Sequence, residues 1–509
     1  MPTRPAPRRF PPVPTPPPRV PALVWASPAV PATPEPPRSV VVVGAGLAGA
    51  QTVAALRQHG FDGQLTLLGA EGVPPYDRPP LSKELLSRRD PVWLAEDLGV
   101  DVSRLADEVR LGDPAVGLDP SPAGVRMRTD SGADVRTDAV VLAMGSTPVV
   151  PRGWEPAWTL HTAADAARLR EALAPGVRLV IAGAGWIGAE LAGVAASAGA
   201  QVTVVEAAPV PLARQLGPTV GKHLDRWYEA AGVRLLTGSP VAAVHASDGA
   251  GPSGPDRDGD GSLRKGGATA VGCVVELADG TRLEADVVLA AVGARPASAW
   301  LAGRLPLDAT GRLRVDRAGR LARHASPTDP AGYLSAPTLA RLWAVGDVAV
   351  REHPVFGPVP GGHWSAALHD PEITVRAMLG VDAAPSDPEE VRARLGLEPI
   401  PRHAPYVFSR QLGHDLALLG LPTPTDEVLL RGDPEGGGSW AALYVERALD
   451  RHPRTTPDGH PIATIRAVLL VDAPREVGAV RRLMNGSEPL RLDLVKALDP
   501  GTRLRDAVV

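Results

Sequence analysis

The segment VVVVGAGLAGA at residues 40–50 joins an apolar β-branched run to three glycines spaced Gly-x-Gly-x-x-Gly. Gly44 would make a tight turn, Gly46 would let a phosphate approach the backbone, and Gly49 would let the next helix pack on the strand. That helix is expected to run to Gln58, and its first N–H groups and positive dipole end suit a pyrophosphate. The segment therefore predicts a dinucleotide-binding unit.

The next strand, LTLLGAE at residues 65–71, ends on an acidic side chain. A carboxylate at the end of this second strand is placed to accept hydrogen bonds from ribose hydroxyls. We therefore expect Glu71 to contact the ribose of the bound nucleotide.

A second copy of the pattern follows in RLVIAGAGWIGAELAG at residues 178–193. Its glycines are Gly183, Gly185 and Gly188. Two complete units indicate two dinucleotides, and the economical pair is a flavin nucleotide with a nicotinamide nucleotide. The next strand, QVTVVE, ends on Glu206. An acid there favours an unphosphorylated ribose, so we expect NADH rather than NADPH, although Arg214 could weaken this preference.

Three further segments of strand and glycine turn support a flavin site. They are TDAVVLAMGSTP (137–148), ADVVLAAVGARP (285–296) and RLWAVGDVA (341–349). The turn glycines Gly145 and Gly293 are assigned to cofactor binding. Asp347 follows a strand end, where its carboxylate is suited to a polyol or ribose, and capping a turn is its alternative role.

Composition narrows the classes of function. A length of 509 residues gives a prior of three domains at about 150 residues each. The net charge of -4 argues against an electrostatically driven nucleic-acid binder. Cys273 is the single cysteine, which excludes an intrachain disulfide framework, a Cys-rich metal or iron–sulfur site and a two-cysteine redox centre.

Two segments are expected to be disordered. Residues 1–38 are proline-rich and basic and cannot bury a core, although a polyproline ligand is an alternative role. They lack the apolar core of a signal peptide, and the long apolar stretch at 179–205 holds the second glycine motif. We therefore expect a cytoplasmic protein without a membrane span. Residues 249–268 are glycine-rich and charged, and their calcium-like fragment lacks the closing Glu, so no metal is expected.

Seven motifs along the chain point to one family. They are GAGLAG (44–49), PPYDRPPLSK (74–83), GAGWIGAE (183–190), AVGARP (291–296), AVGDVA (344–349), GHWSAAL (362–368) and PYVFS (405–409). With them, the chain from residue 39 to 509 resembles the FAD-dependent NAD(P)H:ferredoxin reductases of oxygenase systems, the putidaredoxin reductase-like group.

The resemblance implies an α/β fold class. It contains two Rossmann-like dinucleotide-binding domains, one for FAD and one for NAD, and a C-terminal α/β interface domain. The implied boundaries are 39–155 with 288–380 for the FAD domain, 156–287 for the NAD domain, and 381–509 for the interface domain.

The resemblance also implies roles for individual residues. Lys83 would lie close to the flavin nitrogen that accepts hydride, paired with Glu190, where an ammonium favours the anionic reduced flavin. A solvated lysine at a helix start is the alternative for Lys83. The residues assigned to FAD with it are Ala48, Arg78, Val116 (backbone to the adenine) and Trp364 (backbone to the isoalloxazine). Trp186 would line the nicotinamide pocket, with ordinary packing as its alternative.

Several positions depart from the family pattern. The family's Glu-Gln-Gly is His369-Asp370-Pro371, and the proline is expected to kink or restart the helix. The family's Trp-Ser-Asp is Phe408-Ser409-Arg410, which reverses a charge near the expected docking face. An FAD-contacting arginine is replaced by His161, and Ala-Thr-Gly by Ala143-Met144-Gly145.

These features together predict an oxidoreductase that takes hydride from NADH onto FAD. Disulfide reductases need a dithiol, and the peroxidase and oxidase branch needs a flavin-proximal thiol; Cys273 cannot supply either. Electrons would pass singly to a ferredoxin-type iron–sulfur protein of an oxygenase system. The open alternatives are an NADH:quinone or small-acceptor flavin reductase, and an interaction protein resembling apoptosis-inducing factor with slow turnover. The expected oligomeric state is a monomer or a homodimer.

Overall fold

The computed structural model describes most of the chain. The described residues are 36–247, 272–322, 334–381, 403–447 and 454–509. Only the last three residues of the proline-rich tail are among them, and the predicted loop at 249–268 lies outside them entirely. Both assignments therefore stay predictions.

A five-stranded parallel sheet forms around the first predicted strand. Its strands are β1 (Ser39–Val43), β2 (Gln64–Leu68), β5 (Glu108–Arg110), β9 (Ala139–Leu142) and β20 (Leu342–Ala344). They lie in the order β20-β9-β1-β2-β5, with Val41 opposite Thr66 and Val140. The valine run of β1 is buried, as expected for a parallel strand covered on both faces. Because β20 comes from late in the chain, this sheet is built from two separated segments.

Two long helices lie together beside this sheet. Helix α1 (Leu47–Gln58) has the predicted C-terminal end and packs against α11 (Trp364–Met378). Helix α11 runs through Pro371, so the expectation that the helix restarts there is wrong. An internal proline costs about 3 kcal/mol. Burial of Val375 and Met378 in the core that α1 also lines offsets that cost.

A second parallel sheet carries the second glycine motif. Its strands are β11 (Arg178–Ala182), β12 (Gln201–Val205), β13 (Arg234–Leu236) and β17 (Val287–Ala290), in the order β13-β12-β11-β17. Helix α6 (Trp186–Ser197) follows β11. The boundary predicted between residues 287 and 288 cuts β17, which pairs with β11 along its whole length. The predicted boundary therefore falls inside a strand of this sheet.

The C-terminal part of the chain forms a six-stranded antiparallel sheet. Its strands are β23 (Tyr406–Gln411), β24 (His414–Gly420), β25 (Glu427–Arg431), β26 (Trp440–Val445), β27 (Ile462–Val471) and β28 (Leu490–Asp493). The order is β23-β24-β27-β26-β25, with β28 beside β27. Helices α12 (Pro474–Met484) and α13 (Leu494–Leu498) contribute Val480, Met484 and Ala497 to its core.

In the described part of the chain, five small sheets occur in addition to the two parallel sheets and the C-terminal antiparallel sheet. They are β3 (Tyr76–Asp77) with β4 (Val92–Trp93); β6 (Ala115–Ser121), β7 (Gly124–Thr129) and β8 (Asp134–Thr137); β10 (Ser146–Pro148) with β18 (Ala294–Pro296); β14 (Val241–Ala246), β15 (Cys273–Leu277) and β16 (Arg282–Ala285); and β19 (Leu313–Val315), β21 (Ala349–His353) and β22 (Gly357–Pro360). Cys273 is buried in the strand predicted for it.

The remaining helices are short, apart from α5. They are α2 (Pro80–Lys83), α3 (Leu94–Asp97), α4 (Val102–Leu105), α5 (Ala163–Ala172), α7 (Ala213–Leu216), α8 (Pro218–Gly221), α9 (Asp225–Ala230) and α10 (Ala336–Leu339), with 3-10 turns at Ala299–Leu301, Gly346–Val348 and Leu504–Ala507. Among the described residues, no helix has the length and apolar character needed to span a bilayer.

Helices α7, α8 and α9 pack against one face of the C-terminal sheet. The buried cluster between them includes Leu216, Val220, Leu224, Trp227, Leu418, Trp440 and Tyr444. The hydroxyl of Tyr444 donates to the Leu216 carbonyl at 2.8 Å. The second parallel sheet and the C-terminal sheet are thus joined by a shared core, and the predicted α/β fold class is confirmed.

Replacing Tyr444 by Phe should lower the free energy of unfolding by about 1–3 kcal/mol, because the buried Leu216 carbonyl loses its donor. Tyr228→Phe is the matched control. Tyr228 is also buried, but no partner for its hydroxyl is found within the described ranges, so its removal should be neutral or stabilising. Chemical denaturation measures both variants, and equal losses would contradict this assignment.

Candidate functional site

The turn after β1 forms an open backbone cradle. Gly44 has φ +110°, and a Cβ on Gly49 would lie 1.7 Å from the Gly44 oxygen, so both positions require glycine. At Gly46, by contrast, no described atom lies within 4 Å of the Cβ position, and α1 begins there without a side-chain cap. The first N–H groups of α1 are thus left for an outside acceptor. This geometry fits the pyrophosphate of a dinucleotide.

Glu71 lies three residues beyond the end of β2. The expectation that it ends this strand is wrong, because the chain leaves the sheet at Gly69. Its carboxylate accepts from the Tyr76 hydroxyl at 2.5 Å and pairs with Arg78 at 3.2 Å. Burial raises the pKa of the Tyr76 phenol, so it stays protonated as the donor. Tyr76 lies inside PPYDRPPLSK, but it was not among the predicted site residues.

His161 stands where the family has an FAD-contacting arginine. Its backbone oxygen accepts a hydrogen bond from Arg78 at 2.5 Å. Burial and the charge of Arg78 lower the pKa of the His161 imidazole, which is therefore neutral at neutral pH. Between these two residues, only Arg78 supplies positive charge.

Lys83 and Glu190 form an ion pair between α2 and α6. The distance from Lys83 Nζ to Glu190 Oε1 is 2.9 Å, and the two side chains are 18% and 4% exposed. The ammonium also lies 4.9 Å from the centre of the Phe408 ring. Lys83 is therefore not a solvated lysine. Its predicted role toward a flavin stays a prediction.

Two serines complete the surroundings of Glu190. Ser82 donates to Oε2 and Ser409 donates to Oε1, both at 2.5 Å. Sequence reasoning missed both as site residues. Ser82 lies next to Lys83 in the PPLSK motif, which was an available signal. Ser409 is 219 residues from Glu190, and no local pattern connects them.

Trp364 is the first residue of α11. Its ring nitrogen donates to Asp77 Oδ1 at 2.9 Å, and its ring meets Phe408 edge-on at 5.9 Å between centroids. Burial raises the pKa of the Asp77 carboxyl, and the Trp364 hydrogen bond and the charge of Lys83 only partly offset this. Asp77 was not predicted as a site residue. The structure thus brings an aromatic pair and a second carboxylate to the Lys83–Glu190 pair.

The other predicted FAD contacts lie around the first sheet. Asp347 sits in the 3-10 turn after β20 and accepts from Ser146 at 2.8 Å. Gly145 has φ +69° and Gly293 has φ +110°, on the two turns joined by the pairing of β10 with β18. Val116 lies at a register shift in β6 and is 39% exposed.

Ala48 lies in the first turn of α1 and is buried. Its methyl group is 3.1 Å from the Cβ position of Gly346, in the turn that carries Asp347. This contact brings the turn after β20 up against the start of α1. Two of the segments assigned to FAD therefore meet.

The turn after β11 repeats the open cradle. Gly183 has φ +106°, and a Cβ on Gly188 would lie 2.0 Å from the Gly183 oxygen. At Gly185 the nearest described atom to the Cβ position is Gln215 Nε2, at 3.9 Å, and α6 begins there without a side-chain cap. The second cradle fits a second dinucleotide by the same criteria.

Glu206 follows β12 and stabilises this second turn through hydrogen bonds. Its two carboxylate oxygens accept the N–H groups of Ala184 and Ala208, both at 2.7 Å. Trp186 begins α6 and packs against the core shared with the C-terminal sheet. Arg214 lies in α7. Each predicted NAD residue therefore lies on or beside the second sheet, and its role toward the nucleotide stays a prediction.

Within the described ranges, no group of three or more His, Cys, Asp or Glu side chains is placed to hold a metal ion. The calcium-like fragment at residues 256–261 lies outside those ranges.

Comparison with known proteins shows relationships over most of the chain. Residues 38–370 match the pyridine nucleotide-disulphide oxidoreductase family. The benzene 1,2-dioxygenase system ferredoxin--NAD(+) reductase subunit of Pseudomonas putida is 30% identical, over 92% of this chain and 97% of that protein. The corresponding biphenyl dioxygenase component of Paraburkholderia xenovorans (strain LB400) is 29% identical, over 92% and 98%.

A solved structure agrees with these relatives. The crystal structure of Fdr9 superimposes with a TM-score of 0.69 at 32% identity, and the match covers 92% of this chain and 99% of that one. The similarity therefore includes the C-terminal sheet as well as both glycine cradles. The chain belongs to the pyridine nucleotide-disulphide oxidoreductase family and, within it, to the ferredoxin reductases of oxygenase systems.

Proposed function

We propose that this protein takes hydride from NADH onto FAD and passes single electrons to a ferredoxin-type iron–sulfur protein of an oxygenase system. The observation that carries the proposal is the buried Lys83–Glu190 ion pair. It links α2 to α6, the helix that begins at the second cradle. Two open cradles accommodate two dinucleotides, and a charged pair joins the segments that follow them. The names of the relatives support a ferredoxin as acceptor.

The first cradle and its surroundings would hold FAD. We assign this role to Gly44, Gly46, Ala48, Gly49, Glu71, Arg78, Lys83, Val116, Gly145, Gly293, Asp347 and Trp364. Because Tyr76 shares the Glu71 carboxylate with Arg78, we add it as a residue that orients both.

The second cradle would hold NADH. We assign this role to Gly183, Gly185, Trp186, Gly188 and Glu206. Glu206 would place a negative charge where a 2′-phosphate would lie, which favours NADH over NADPH. Its two backbone hydrogen bonds fix that charge in place.

FAD, when bound, accepts hydride and releases electrons one at a time, which lets it join a two-electron donor to a one-electron acceptor. Lys83 would place a positive charge beside the accepting ring. Glu190 pairs with this ammonium and keeps it charged in a site largely closed to water. Trp364, whose ring is held by Asp77, would contact the isoalloxazine through its backbone.

The domain division follows from the sheets. We propose an FAD domain of residues 39–155 and 291–380, an NAD domain of 156–290, and an interface domain of 381–509, with the middle boundary moved to the end of β17. We place the reaction in the cytoplasm, where NADH is supplied.

Reoxidation of the reduced protein tests the acceptor. We expect NADH to bleach the flavin rapidly, and a ferredoxin from a panel of purified ferredoxins to reoxidise it faster than a quinone does. Stopped-flow absorbance follows both steps. Faster reoxidation by the quinone would favour the small-acceptor reductase. A long-lived charge-transfer band with slow reoxidation by every acceptor would favour a binding role.

Glu206→Gln should narrow the preference for NADH over NADPH, on the order of tenfold, because the amide removes repulsion of a 2′-phosphate and still accepts a backbone N–H. The ratio of kcat/KM for the two nucleotides measures this. Glu229→Gln, an exposed change on α9, should leave the ratio unchanged. A wild-type protein that prefers NADPH would show that Arg214 or another base dominates.

Lys83→Ala should slow flavin reduction more than Glu190→Ala, and the double variant should lose less than the sum, because the two groups are coupled. NADH affinity should stay within a few-fold, since neither residue belongs to the nucleotide cradle. Lys496→Ala is the control: it removes a half-exposed ammonium that lies 3.8 Å from the buried Asp493 carboxylate, away from α2 and α6. Reduction of Lys83→Ala at the wild-type rate would refute the assignment.

A further inference from the structure

Glu190 receives a hydrogen bond from a distant part of the chain. Ser82 and Lys83 come from α2, but Ser409 comes from β23 in the C-terminal sheet, and it donates to the same oxygen, Oε1, that Lys83 contacts. We propose that Ser409 is a positioning residue of the hydride-accepting site, which fixes the carboxylate that holds Lys83. This inference rests on the function proposed above.

Gln411 supports the hydrogen bond that Ser409 donates to Glu190. Gln411 Nε2 donates to Ser409 Oγ at 2.9 Å, and an amide nitrogen has no lone pair with which to accept. Ser409 therefore accepts from Gln411 and gives its single proton to Glu190. Ser409 and Gln411 are 4% and 2% exposed. Bulk water therefore competes little for this chain of bonds.

The alternation of β23 puts both polar residues on the strand face from which Ser409 reaches Glu190. Ser409 and Gln411 are two positions apart and share one face of the strand, while Arg410 between them is 72% exposed. Pairing of β23 with β24 fixes this register, with Ser409 opposite Leu416. A shift by one residue would turn a cation toward the site in place of the hydroxyl.

A close backbone approach allows β23 to reach α6. A Cβ on Gly193, about one helical turn after Glu190, would lie 2.9 Å from Leu412 N. Leu412 has φ +50°, in the region that favours glycine. The ring of Trp227 stacks on His414 at 4.1 Å, on the far side of the turn. These contacts hold the β23–β24 turn against the NAD-binding part of the chain.

Loss of Ser409 would leave Oε1 with Lys83 alone. Ser82 on Oε2 and the long, flexible Lys83 side chain on Oε1 would then be the remaining contacts, so the carboxylate would be held less firmly. The ammonium would lose its fixed place beside Phe408 and, on the proposed function, beside the flavin. We therefore expect a weaker stabilisation of the reduced flavin, which slows its reduction and makes its midpoint potential more negative.

The test uses full-length, FAD-loaded protein with matched serine variants. Ser409→Ala removes the hydroxyl and Ser409→Thr keeps it. Ser298→Ala is the control, because Ser298 is also buried but donates to the Gly311 carbonyl, at 2.5 Å. Gln411→Leu keeps Ser409 and removes the hydrogen bond that Ser409 accepts. Reduction by NADH, midpoint potential, NADH dissociation constant and Tm are measured for each.

We expect Ser409→Ala to slow flavin reduction about tenfold, the factor for one hydrogen bond to a charged group, and to lower the midpoint potential. Gln411→Leu should cause a smaller change in the same direction, and Ser409→Thr should restore both quantities. Ser298→Ala should leave the rate of flavin reduction and the midpoint potential unchanged, although its Tm should fall as much as that of Ser409→Ala. In a Glu190→Gln background, Ser409→Ala should have little further effect.

Unchanged reduction rate and midpoint potential in Ser409→Ala would overturn the proposal. The proposal would also be overturned if flavin reduction slowed in proportion to the fall in Tm and slowed equally in Ser298→Ala. Failure of NADH to reduce the wild-type flavin would instead overturn the proposed function. The midpoint potentials, which need no NADH, would still decide the role of Ser409.

Discussion

The carboxylate of Glu190 is almost completely removed from water, and a buried charge is costly unless it is paired and fully hydrogen-bonded. Satisfying it requires three segments that are far apart in the sequence. Helix α2 provides Lys83 and Ser82, helix α6 provides the carboxylate, and strand β23 provides Ser409. One buried charge therefore depends on the correct packing of the α2 segment, the α6 segment and the C-terminal sheet against one another.

Features with a local cause were predictable from the sequence. Both glycine turns, the strands before them and the end of α1 at Gln58 follow from short-range spacing, because a tight turn and a close helix–strand contact impose glycine at fixed intervals. The predicted strand around Cys273 was also confirmed, because a short run rich in valine is a local strand signal of its own. The pairing of Lys83 with Glu190 came from resemblance to a family, since 107 positions separate the two residues in the printed chain.

Features that depend on tertiary packing were missed or misplaced. The domain boundary at 287 fell inside β17, because an apolar strand does not reveal which sheet it joins. Helix α11 continues through Pro371, since burial of its C-terminal half offsets a weakened turn. Tyr76 and Asp77 lay inside a recognised motif, but their partners only became visible in three dimensions.

The contact between Gly193 and Leu412 bears on how such proteins are recombined. Because a Cβ on Gly193 would collide with the facing backbone, the helix and the C-terminal turn have to match each other in shape. A chimera that takes its C-terminal sheet from a relative would inherit a turn shaped for a different helix. Exchange of that sheet between relatives therefore requires the helix and the turn to be transferred as one unit.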